Sequence, residues 1–422
     1  MKVGGVPAGR AEGSDMDAIA MEWGGLLLRW THIITGIAWI GSSFYFMHLD
    51  AAIKAIPDIP AGKGGEAWEV HGGGFYQVRK YLVAPDSLPK ELMWHKWESY
   101  STWISGFSLL VWVYYLGADL YLIDPAIRPL SPLAAAGIGI GGLAVGWLVY
   151  DTLVKSPLAK NEVALAAVGF AFIMGMAFFF QHMFSGRGAL IHTGALMATI
   201  MTGNVFMNII PNQKIVVADL IAGRAPDPKY GKQAKTRSTH NNYLTLPVLF
   251  LMISGHYPMT FMSPYAWLMV GFVLVAGALV RYFYNQRHAG NGNKWWAWAV
   301  AALCVLIAIW LSMLSNPTGR ERLGLPALTT PAVAATVAAA HVPKDVEDVL
   351  TSRCAMCHAA EPAWTGIVAA PKGVLLDTPA NIARNAPLVR MQAVLTTAMP
   401  PNNITEMTRD ERKLLASWFD RK

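Results

Sequence analysis

The sequence is poor in charged residues and in cysteine. Only 14% of its 422 residues are Asp, Glu, Lys or Arg, whereas 54% are hydrophobic, and a soluble domain carries about 25% charged residues. This composition excludes an ordinary soluble protein. The three cysteines, Cys304, Cys354 and Cys357, are too few for a disulfide scaffold. The net charge of +7 comes without a basic cluster or an aromatic-lined groove, so we expect no nucleic-acid partner.

The hydrophobic residues form about eight segments of the length that crosses a bilayer. These segments cover residues 23–48, 99–122, 133–154, 163–184, 190–210, 243–256, 266–283 and 295–315. We therefore predict an all-α fold, with a polytopic membrane helical bundle over residues 1–315. A linker rich in Pro, Ala, Thr and Val follows over 316–343, and a small, more polar all-α domain occupies 344–422.

The distribution of Lys and Arg predicts the orientation of the bundle. Residues 1–17 carry glycine and charge rather than an apolar core, so we expect no cleavable signal peptide. The loops after the first, third, fifth and seventh segments hold most of the cations, whereas the alternate loops hold only Arg128 and Arg187. Because cations favour the cytoplasmic side, we predict a multi-pass protein of a bacterial inner membrane with both termini in the periplasm.

Residues 354–358, Cys-Ala-Met-Cys-His, form a C-x-x-C-H motif. In this motif two thiols bind haem covalently and the histidine supplies an axial nitrogen. A second cysteine pair, which a zinc site would need, is missing from the sequence. We therefore predict one covalent haem c on Cys354, Cys357 and His358, with Met399 as the second axial ligand. Met399 is preferred because Met/His ligation raises the reduction potential and because two prolines follow it directly.

The remainder of the C-terminal domain is consistent with a one-haem cytochrome c. About eighty residues are too few for a stable apolar core without additional support, which the haem would provide. Met391 and Met407 are alternative axial ligands, although packing explains both residues better. Residues 408–419 predict a closing helix in which Thr408 caps the amino terminus and Glu411 completes a capping box.

Histidines occur in two layers of the predicted bundle. With the orientation above, the outer layer contains His32, His182, His192 and His256, and the inner layer contains His48, His95 and His240. An ionisable group inside a membrane is expensive to bury and is a functional candidate for that reason. One use is ligation of one or two b-type haems, with His32, His192, His256 and His48 as ligands. The alternative is that each histidine lies among headgroups or hydrogen-bonds a neighbouring carbonyl.

Polar side chains gather on the inner side of the bundle. They are Arg79, Lys80, Glu98, Asn204, Asn208, Gln213, Asn241 and Asn242. The amides have an alternative explanation in hydrogen bonding between helices. The first inward loop also contains His71 followed by three glycines, which would let the main chain approach a planar ligand closely. A flexible, solvated loop is the alternative for this segment.

Several of these segments resemble one known family. They are Trp-Thr-His at 30–32, Trp-Ile-Gly-Ser-Ser-Phe-Tyr-Phe at 39–46, His-Gly-Gly-Gly at 71–74, Lys-Trp-Glu at 96–98, Gly-Asn-Val-Phe at 203–206 and Ser-Thr-His-Asn-Asn-Tyr-Leu-Thr-Leu-Pro at 238–247. The family is the bacterial membrane-bound urate oxidase, or urate hydroxylase, and the resemblance covers nearly the whole chain. It implies a membrane domain of about eight helices followed by a cytochrome c domain. It also implies hydroxylation of urate to 5-hydroxyisourate in purine catabolism, with electrons passing through the cytochrome to the respiratory chain.

The inner polar side chains suggest where urate would bind. In this hypothesis Arg79 or Asn242 hydrogen-bonds the urate carbonyls, and His240, His71 or Glu98 removes a proton. Base character at neutral pH favours histidine. The expected partners are urate, membrane lipid and a downstream respiratory electron acceptor.

Three alternatives stay open at this point. Urate could bind instead at the outer layer, beside the cytochrome, where His182, Arg187 and His192 lie. The chain could be a quinol-oxidising or purely electron-conducting membrane cytochrome, although such a site prefers an apolar, lipid-facing cleft. A transporter with a fused sensor domain is the third alternative, but we detect no inverted internal repeat in the sequence.

Overall fold

The computed structural model describes most of the chain. The described residues are 11–59, 64–81, 89–124, 127–314, 320, 322–325, 342–364, 367, 369–395 and 399–420. The predicted linker 316–343 lies outside the described residues, apart from 320, 322–325, 342 and 343. The domain boundaries inferred from the sequence therefore stay predictions.

The first third of the chain contains one long helix, a hairpin and a helix that changes its pitch. These elements are helix α1 (Ala11–Ala52), strands β1 (Gly64–His71) and β2 (Gly74–Tyr81), and helix α2 (Trp97–Leu109), which continues as a π-helix over Leu110–Tyr115. The two strands are antiparallel, with Gly64 opposite Tyr81 and His71 opposite Gly74. Gly72 and Gly73 form the turn between them with φ of +59° and +80°, the left-handed conformations that a two-residue hairpin turn requires.

Helices make up the rest of the bundle. They are α3 (Ala118–Tyr121), α4 (Pro132–Lys155), α5 (Glu162–Gln181), α6 (Gly186–Gly203) with its π-helical continuation (Asn204–Ile209), α7 (Ile210–Ile221), α8 (Pro228–Ser254), α9 (Pro258–Phe261), α10 (Ala266–His288) and α11 (Trp296–Leu314). Side-chain caps define several of the starts: Ser131 Oγ accepts a hydrogen bond from the Ala134 amide at 3.2 Å, and Asn161 Oδ1 accepts one from the Ala164 amide at 3.0 Å. Such caps satisfy amides that have no partner inside the helix.

The structure confirms the expectation of long apolar helices. Among the described residues, five helical segments are long and apolar enough to cross a membrane, judged by length and composition: Pro132–Lys155, Glu162–Gln181, Gly186–Ile221, Ala266–His288 and Trp296–Leu314. The other three predicted segments are largely helical as well. Segment 23–48 lies in α1, segment 99–122 spans α2, its π-helical continuation and α3, and segment 243–256 ends two residues beyond α8. The α-helical part of α2 is only 13 residues long because the π-helix interrupts it, and the first half of α8 is polar. About eight spans therefore stays a prediction.

Helix α6 lies at the centre of the bundle. It packs against α2, α4, α5, α8 and α10, and Leu196 and Met197 on it are completely buried. A glycine on α4 allows one of these close contacts, since a Cβ on Gly146 would lie 2.7 Å from Cγ of Leu196. Small residues at crossing points are typical of helices that pack in membranes. Helix α11 lies at the periphery and exposes Leu303, Leu306 and Trp310, as a lipid-facing helix does.

The C-terminal residues form a separate hydrophobic core. Helices α12 (Lys344–Arg353), α13 (Pro379–Val389) and α14 (Arg409–Asp420) surround it, and a π-helical segment (Arg390–Leu395) extends α13. Val346, Leu350, Ile382, Ala393 and Leu415 are its most buried members. The C-terminal region is thus a small helical unit with an apolar interior of its own.

The predicted capping box of the last helix is confirmed. The Thr408 amide donates to Glu411 Oε2 at 2.6 Å, and the Glu411 amide donates to Thr408 Oγ1 at 3.2 Å. Arg353 of α12 also donates to Glu411 Oε1 at 3.0 Å, so this carboxylate ties α14 to α12. Partial burial would by itself raise the pKa of Glu411, but these hydrogen bonds and the charge of Arg353 together lower it.

Replacing Glu411 with Gln should weaken α14 by about 1 kcal/mol, the usual value of a lost cap. Because the pKa of Glu411 is lower in the folded chain, the stabilisation is present above the pKa of the unfolded chain and is lost as the pH falls through the folded value. Hydrogen–deuterium exchange of the α14 amides at neutral pH should show about fivefold weaker protection. Asp410→Asn is the matched control, because Asp410 is exposed. Equal protection in both variants would contradict the role of the capping box.

Candidate functional site

A cavity of about 310 Å³ opens at the end of the bundle where α1 ends and α2 begins. We call it the inner cavity. Its aromatic walls come from Trp39, Phe46 and Trp94, and its polar walls come from Ser42, Ser43, Asp50, His95, Glu98, Gln213, Ser238 and Asn241. The volume lies at the lower end of the range of about 300–1,000 Å³ that small-molecule sites occupy. Aromatic surfaces combined with several amides and one acid–base pair suit a small, planar, polar ligand.

The acid–base pair in this cavity is His95 with Glu98. His95 Nδ1 lies 2.9 Å from Glu98 Oε1, and the ring of Phe46 packs edge-on against the imidazole at 4.9 Å between centroids. An ionised carboxylate only accepts hydrogen bonds, so Nδ1 is the donor and the proton-accepting electron pair is on Nε2. Glu98 lies in the first turn of α2, where the helix dipole stabilises a negative charge. The pair is therefore built to accept a proton at Nε2.

Asn241 on α8 is held in one orientation. Its Nδ2 donates to the Met201 carbonyl at 2.9 Å, and its Oδ1 accepts a hydrogen bond from Asn204 Nδ2 at 2.8 Å. Gln213 and Ser238 lie in the wall nearby. The cavity thus offers hydrogen-bonding groups of both kinds, which carbonyl and imide groups of a ligand need.

A buried polar network lies directly behind Asn241. Arg237 donates to Asp151 Oδ1 at 2.7 Å and to Asn204 Oδ1 at 3.1 Å. Asn204 Nδ2 donates in turn to the hydroxyl of Tyr150 at 2.9 Å, and this hydroxyl lies 2.8 Å from His240 Nδ1. The network joins two walls of the site, α8 and the π-helical segment after α6, to α4 behind them.

Sequence reasoning missed Asp151, Arg237 and Tyr150. By sequence Arg237 belongs to the inward loop between the fifth and sixth segments. The structure instead places it inside α8, with a side chain that is only 4% exposed. Charged residues at the edge of apolar segments were the available signal, because such residues require a partner. Choosing the correct partner required knowledge of which helices are neighbours.

Replacing Asp151 with Asn should destabilise the bundle by about 3–5 kcal/mol, because it leaves the Arg237 charge buried and unpaired. Thermal unfolding of the purified protein in detergent measures the effect. The matched control is Asp219→Asn, which removes the partner of the exposed Arg224 and should change stability by about 0–1 kcal/mol. Similar losses in both variants would show that the network does not support the bundle.

The structure does not bring the five predicted catalytic residues together. Glu98 lines the inner cavity. His240 is bound to Tyr150, as described above. Asn242 is completely buried, and its Oδ1 accepts hydrogen bonds from Arg281 and Asn285 on α10. His71 is exposed at the end of β1, and Arg79 on β2 pairs with Glu66 at 3.4 Å.

Residues other than two of the predicted ones line the cavity wall. Asn241 lines it rather than Asn242, since successive residues of a helix point about 100° apart, and His95 lines it rather than His240. The three glycines after His71 form the hairpin turn, and a Cβ on Gly72 or Gly73 would meet nothing within 4 Å. The segment is therefore the exposed turn of a regular β-hairpin rather than a flexible loop, and this hairpin departs from the all-α prediction.

A second and larger cavity, of about 1200 Å³, lies between the bundle and the C-terminal unit. We call it the outer cavity. Cys354, Cys357, His358 and Met399 all contribute to its wall. Its volume exceeds that of an ordinary small-molecule site and suits a macrocycle. The residues of the haem motif therefore surround a space of suitable size.

The individual groups also fit a haem c. His358 Nδ1 lies 2.9 Å from the Val374 carbonyl, which orients the ring and leaves Nε2 free for iron. Burial lowers the pKa of His358, so the neutral form that binds metal is favoured. Burial and the neighbouring Cys357 raise the pKa of the Cys354 thiol to about 12, which disfavours a thiolate metal site. These features agree with thioether attachment and histidine ligation.

The backbone of Met399 is fixed on both sides. Its amide donates to the Gln392 carbonyl at 2.9 Å, and its carbonyl accepts a hydrogen bond from Arg412 at 2.9 Å. Met407 lies in the core of the C-terminal unit and is 3% exposed, as expected of a packing residue. Among the described residues, no group of three or more His, Cys, Asp or Glu could hold a metal ion; the predicted haem ligands, one imidazole and one thioether, are not such a group.

The part of the chain that fits a known family is its bundle. The family model for the urate oxidase N-terminal domain matches residues 18–312. The chain belongs to this urate oxidase family. No curated protein and no solved structure matches the chain. The match ends before the C-terminal unit, so the haem motif lies outside it.

Four of the six urate oxidase segments named above meet at the inner cavity. Trp39 and Ser42 come from segment 39–46, Glu98 from 96–98, Val205 from 203–206 and Asn241 from 238–247. These segments are distant in sequence and lie on different helices. The cavity is therefore the place where the features typical of the family converge.

His192 of this urate oxidase-family bundle takes part in packing. It is completely buried on α6, with Nδ1 2.8 Å from the Gly188 carbonyl and Nε2 3.2 Å from the Tyr115 hydroxyl. Both ring nitrogens are thus engaged, and neither is free to bind iron.

The other predicted haem b ligands are dispersed over the bundle. His32 Nδ1 lies 3.0 Å from the Thr102 carbonyl, whereas His256 lines the outer cavity. His48 packs edge-on against His288, with ring centroids 4.3 Å apart. The described residues fit a haem c but do not place two of these histidines on one cofactor cavity. Haem b stays a prediction from the sequence.

Proposed function

We propose that this protein is a membrane-bound urate oxidase that hydroxylates urate to 5-hydroxyisourate in purine catabolism. Urate binds in the inner cavity, and the electrons pass to a haem c in the C-terminal domain and on to the respiratory chain. The observation that carries the proposal is the His95–Glu98 pair in a cavity of about 310 Å³ lined by segments of a urate oxidase family chain.

The cavity walls suit urate as the ligand. Trp39 and Trp94 provide aromatic surfaces for a planar purine. Asn241, fixed by its own hydrogen bonds, and Gln213 can donate to the urate carbonyls and accept from its ring N–H groups. Stacking and amide contacts together would fix the ring in one orientation.

The reaction requires removal of protons as well as electrons. Urate gains one oxygen atom from water and releases two electrons and two protons. In our proposal His95 Nε2 takes a proton, while Glu98 holds the Nδ1 proton and stabilises the imidazolium that forms. A haem c held by Cys354, Cys357, His358 and Met399 would accept the two electrons one at a time and would pass each to the downstream respiratory acceptor.

Aromatic side chains of α2 lie between the two cavities. From Asn241 in the wall of the inner cavity to His256 in the wall of the outer cavity, the chain advances about 20 Å along α8 at 1.5 Å per residue. Trp97 packs against Tyr100 with centroids 5.9 Å apart, and Trp103 stacks on Phe107 at 5.1 Å. We assign the passage of electrons to this series of rings.

Replacing Trp103 with Leu should slow reduction of the C-terminal domain by urate by about tenfold or more, equivalent to at least 1.4 kcal/mol in the barrier. Equilibrium binding of urate should be unchanged. Stopped-flow absorbance and a binding titration measure the two quantities. Trp112→Leu is the control, because Trp112 instead donates to the Met21 carbonyl on α1. Equal reduction rates in both variants would contradict the assignment.

The proposed topology follows the distribution of cations. We propose about eight spans, with the inner cavity at the cytoplasmic face of a bacterial inner membrane and the cytochrome domain in the periplasm. The positive-inside rule supports this orientation, and the two cavities contact opposite ends of α2 with its π-helical continuation, at Glu98 and at Val113. Urate formed in the cytoplasm would thus reach the site without crossing the membrane.

A difference spectrum tests the proposal. Detergent-purified protein is reduced with urate, and a pyridine haemochrome assay separates c-type from b-type haem. Reduction of haem c by urate is the expected result. If quinol reduces the protein and urate does not, the chain is the quinol-oxidising cytochrome of the alternative hypothesis. A b-type haem in the same assay would restore an electron-carrying role to the membrane histidines.

A further inference from the structure

The outer cavity is strongly cationic. Its wall includes six Lys or Arg side chains and two carboxylates, Glu22 and Asp124. Two of the cations already have partners, since Arg384 pairs with Asp124 at 2.9 Å and Arg353 pairs with Glu411 at 3.0 Å. Among the described residues, the other four cations, Arg29, Arg128, Arg187 and Lys372, form no ion pair. They outnumber Glu22, the remaining carboxylate of the wall, so the cavity keeps an excess of positive charge that an anionic ligand would balance.

Arg187, in the first turn of α6, has a buried hydrogen-bond donor that such a ligand would satisfy. Its guanidinium lies over the rings of Tyr121 and Tyr114, with Cζ at 5.2 Å and 5.9 Å from their centroids. These rings and the close approach of Gly255 hold the side chain in place. Its Nε is buried and has no hydrogen-bond partner among the described residues. Buried donors in native proteins nearly always have an acceptor. We therefore expect a group bound in the cavity to be the acceptor for Arg187 Nε.

Lys372 approaches the same space from the C-terminal domain. It lies beside Gly373, where a Cβ would come within 3.1 Å of Phe261 in the bundle, so this turn is seated directly on α9. Burial lowers the pKa of Lys372, and the charges of Arg187 and Arg29 lower it further, whereas Glu22 raises it and offsets them only in part. These cations therefore repel one another, and an anion among them would relieve the repulsion.

The haem motif lies in the wall of the same cavity. A haem c carries two propionate groups at one edge of its macrocycle, and carboxylates are the anions that guanidinium groups bind best. We propose that Arg29 and Arg187 of the bundle, together with Lys372, bind the haem propionates, so that the haem links the C-terminal domain to the bundle. This inference rests on the proposed function, because it requires the haem c.

The propionate site has a consequence for the haem that can be measured without turnover. Cations beside the propionates disfavour the extra positive charge of ferric iron, so their removal should lower the midpoint potential. We expect each of Arg29→Gln, Arg187→Gln and Lys372→Gln to shift the oxidised-to-reduced equilibrium about tenfold, equivalent to 59 mV for one electron. An anaerobic optical redox titration of the full-length holoprotein gives this value.

Two substitutions outside the cavity are the matched controls. Lys413→Gln removes an exposed lysine of α14, and Arg224→Gln removes an exposed arginine after α7; neither should change the potential by more than the error of the titration. Lys372 and Arg29 lie in different domains, so a folding defect in one variant does not prevent the test in the other.

The outcomes separate this inference from the proposed function. Unchanged potentials in all three variants, with haem c present, would overturn the propionate site alone. Absence of c-type haem from the unmodified protein would overturn the proposed function as well. If Arg29→Gln or Arg187→Gln abolished equilibrium binding of urate and left the potential unchanged, the anion in this cavity would be urate, which would also contradict the propionate site.

Discussion

Replacing Glu98 with Gln lowers urate turnover by about 10²–10⁴-fold, the usual contribution of an acid–base group. The glutamine keeps the size of the side chain but cannot hold the Nδ1 proton of His95 as a carboxylate does, nor stabilise the imidazolium. The loss should occur in kcat, with equilibrium binding of urate nearly unchanged, because the aromatic and amide walls of the inner cavity remain. Steady-state kinetics with an artificial one-electron acceptor measures it.

The matched control for this substitution is Glu91→Gln. Glu91 is exposed and precedes the same helix without lining the cavity, so its loss should leave turnover unchanged. The covalent haem content should be equal in both variants, which separates a chemical role from a folding defect. Normal turnover in Glu98→Gln would show that the inner cavity is not the site of oxidation. The alternative site of oxidation would then be the outer cavity, whose wall includes Arg187 and His182.

Replacing both Cys354 and Cys357 with Ala should abolish covalent haem c. Urate-driven reduction of an external acceptor should fall to the level of a blank, because the route out of the bundle is lost. The C-terminal domain should also unfold, since a core of this size needs support from a bound group. Pyridine haemochrome analysis and hydrogen–deuterium exchange over α12 and α14 measure the two effects.

The third cysteine provides the control for that experiment. Cys304 lies on α11 and packs against Ala276 and Ala301 in a small apolar cluster. Cys304→Ala removes one buried sulfur and should leave haem content and turnover unchanged. A double variant of the motif cysteines that still held haem c and oxidised urate would contradict the assignment of the C-terminal domain as the electron acceptor.

The orientation of side chains within the bundle shows where sequence reasoning reaches its limit. Asn241 and Asn242 are equivalent in a sequence, yet only Asn241 faces the inner cavity while Asn242 binds Arg281 and Asn285 on α10. The rotation of α8 about its own axis decides between them, and that rotation depends on packing against other helices. His192 is a similar case, because the hydroxyl of Tyr115, on the π-helical continuation of α2, lies 3.2 Å from its Nε2.

The sequence by itself determined the features that depend on neighbouring residues. Apolar runs predicted the helices, the residues of the C-x-x-C-H motif predicted the haem attachment, and the spacing of Thr408 and Glu411 predicted a capping box that the structure contains. Such patterns act over one or two helical turns. Only the tertiary structure decided which helices form the walls around the His95–Glu98 pair, the Asp151–Arg237 pair and the cations around the outer cavity. Each of these joins residues far apart in the chain, and their contact depends on how the helices pack.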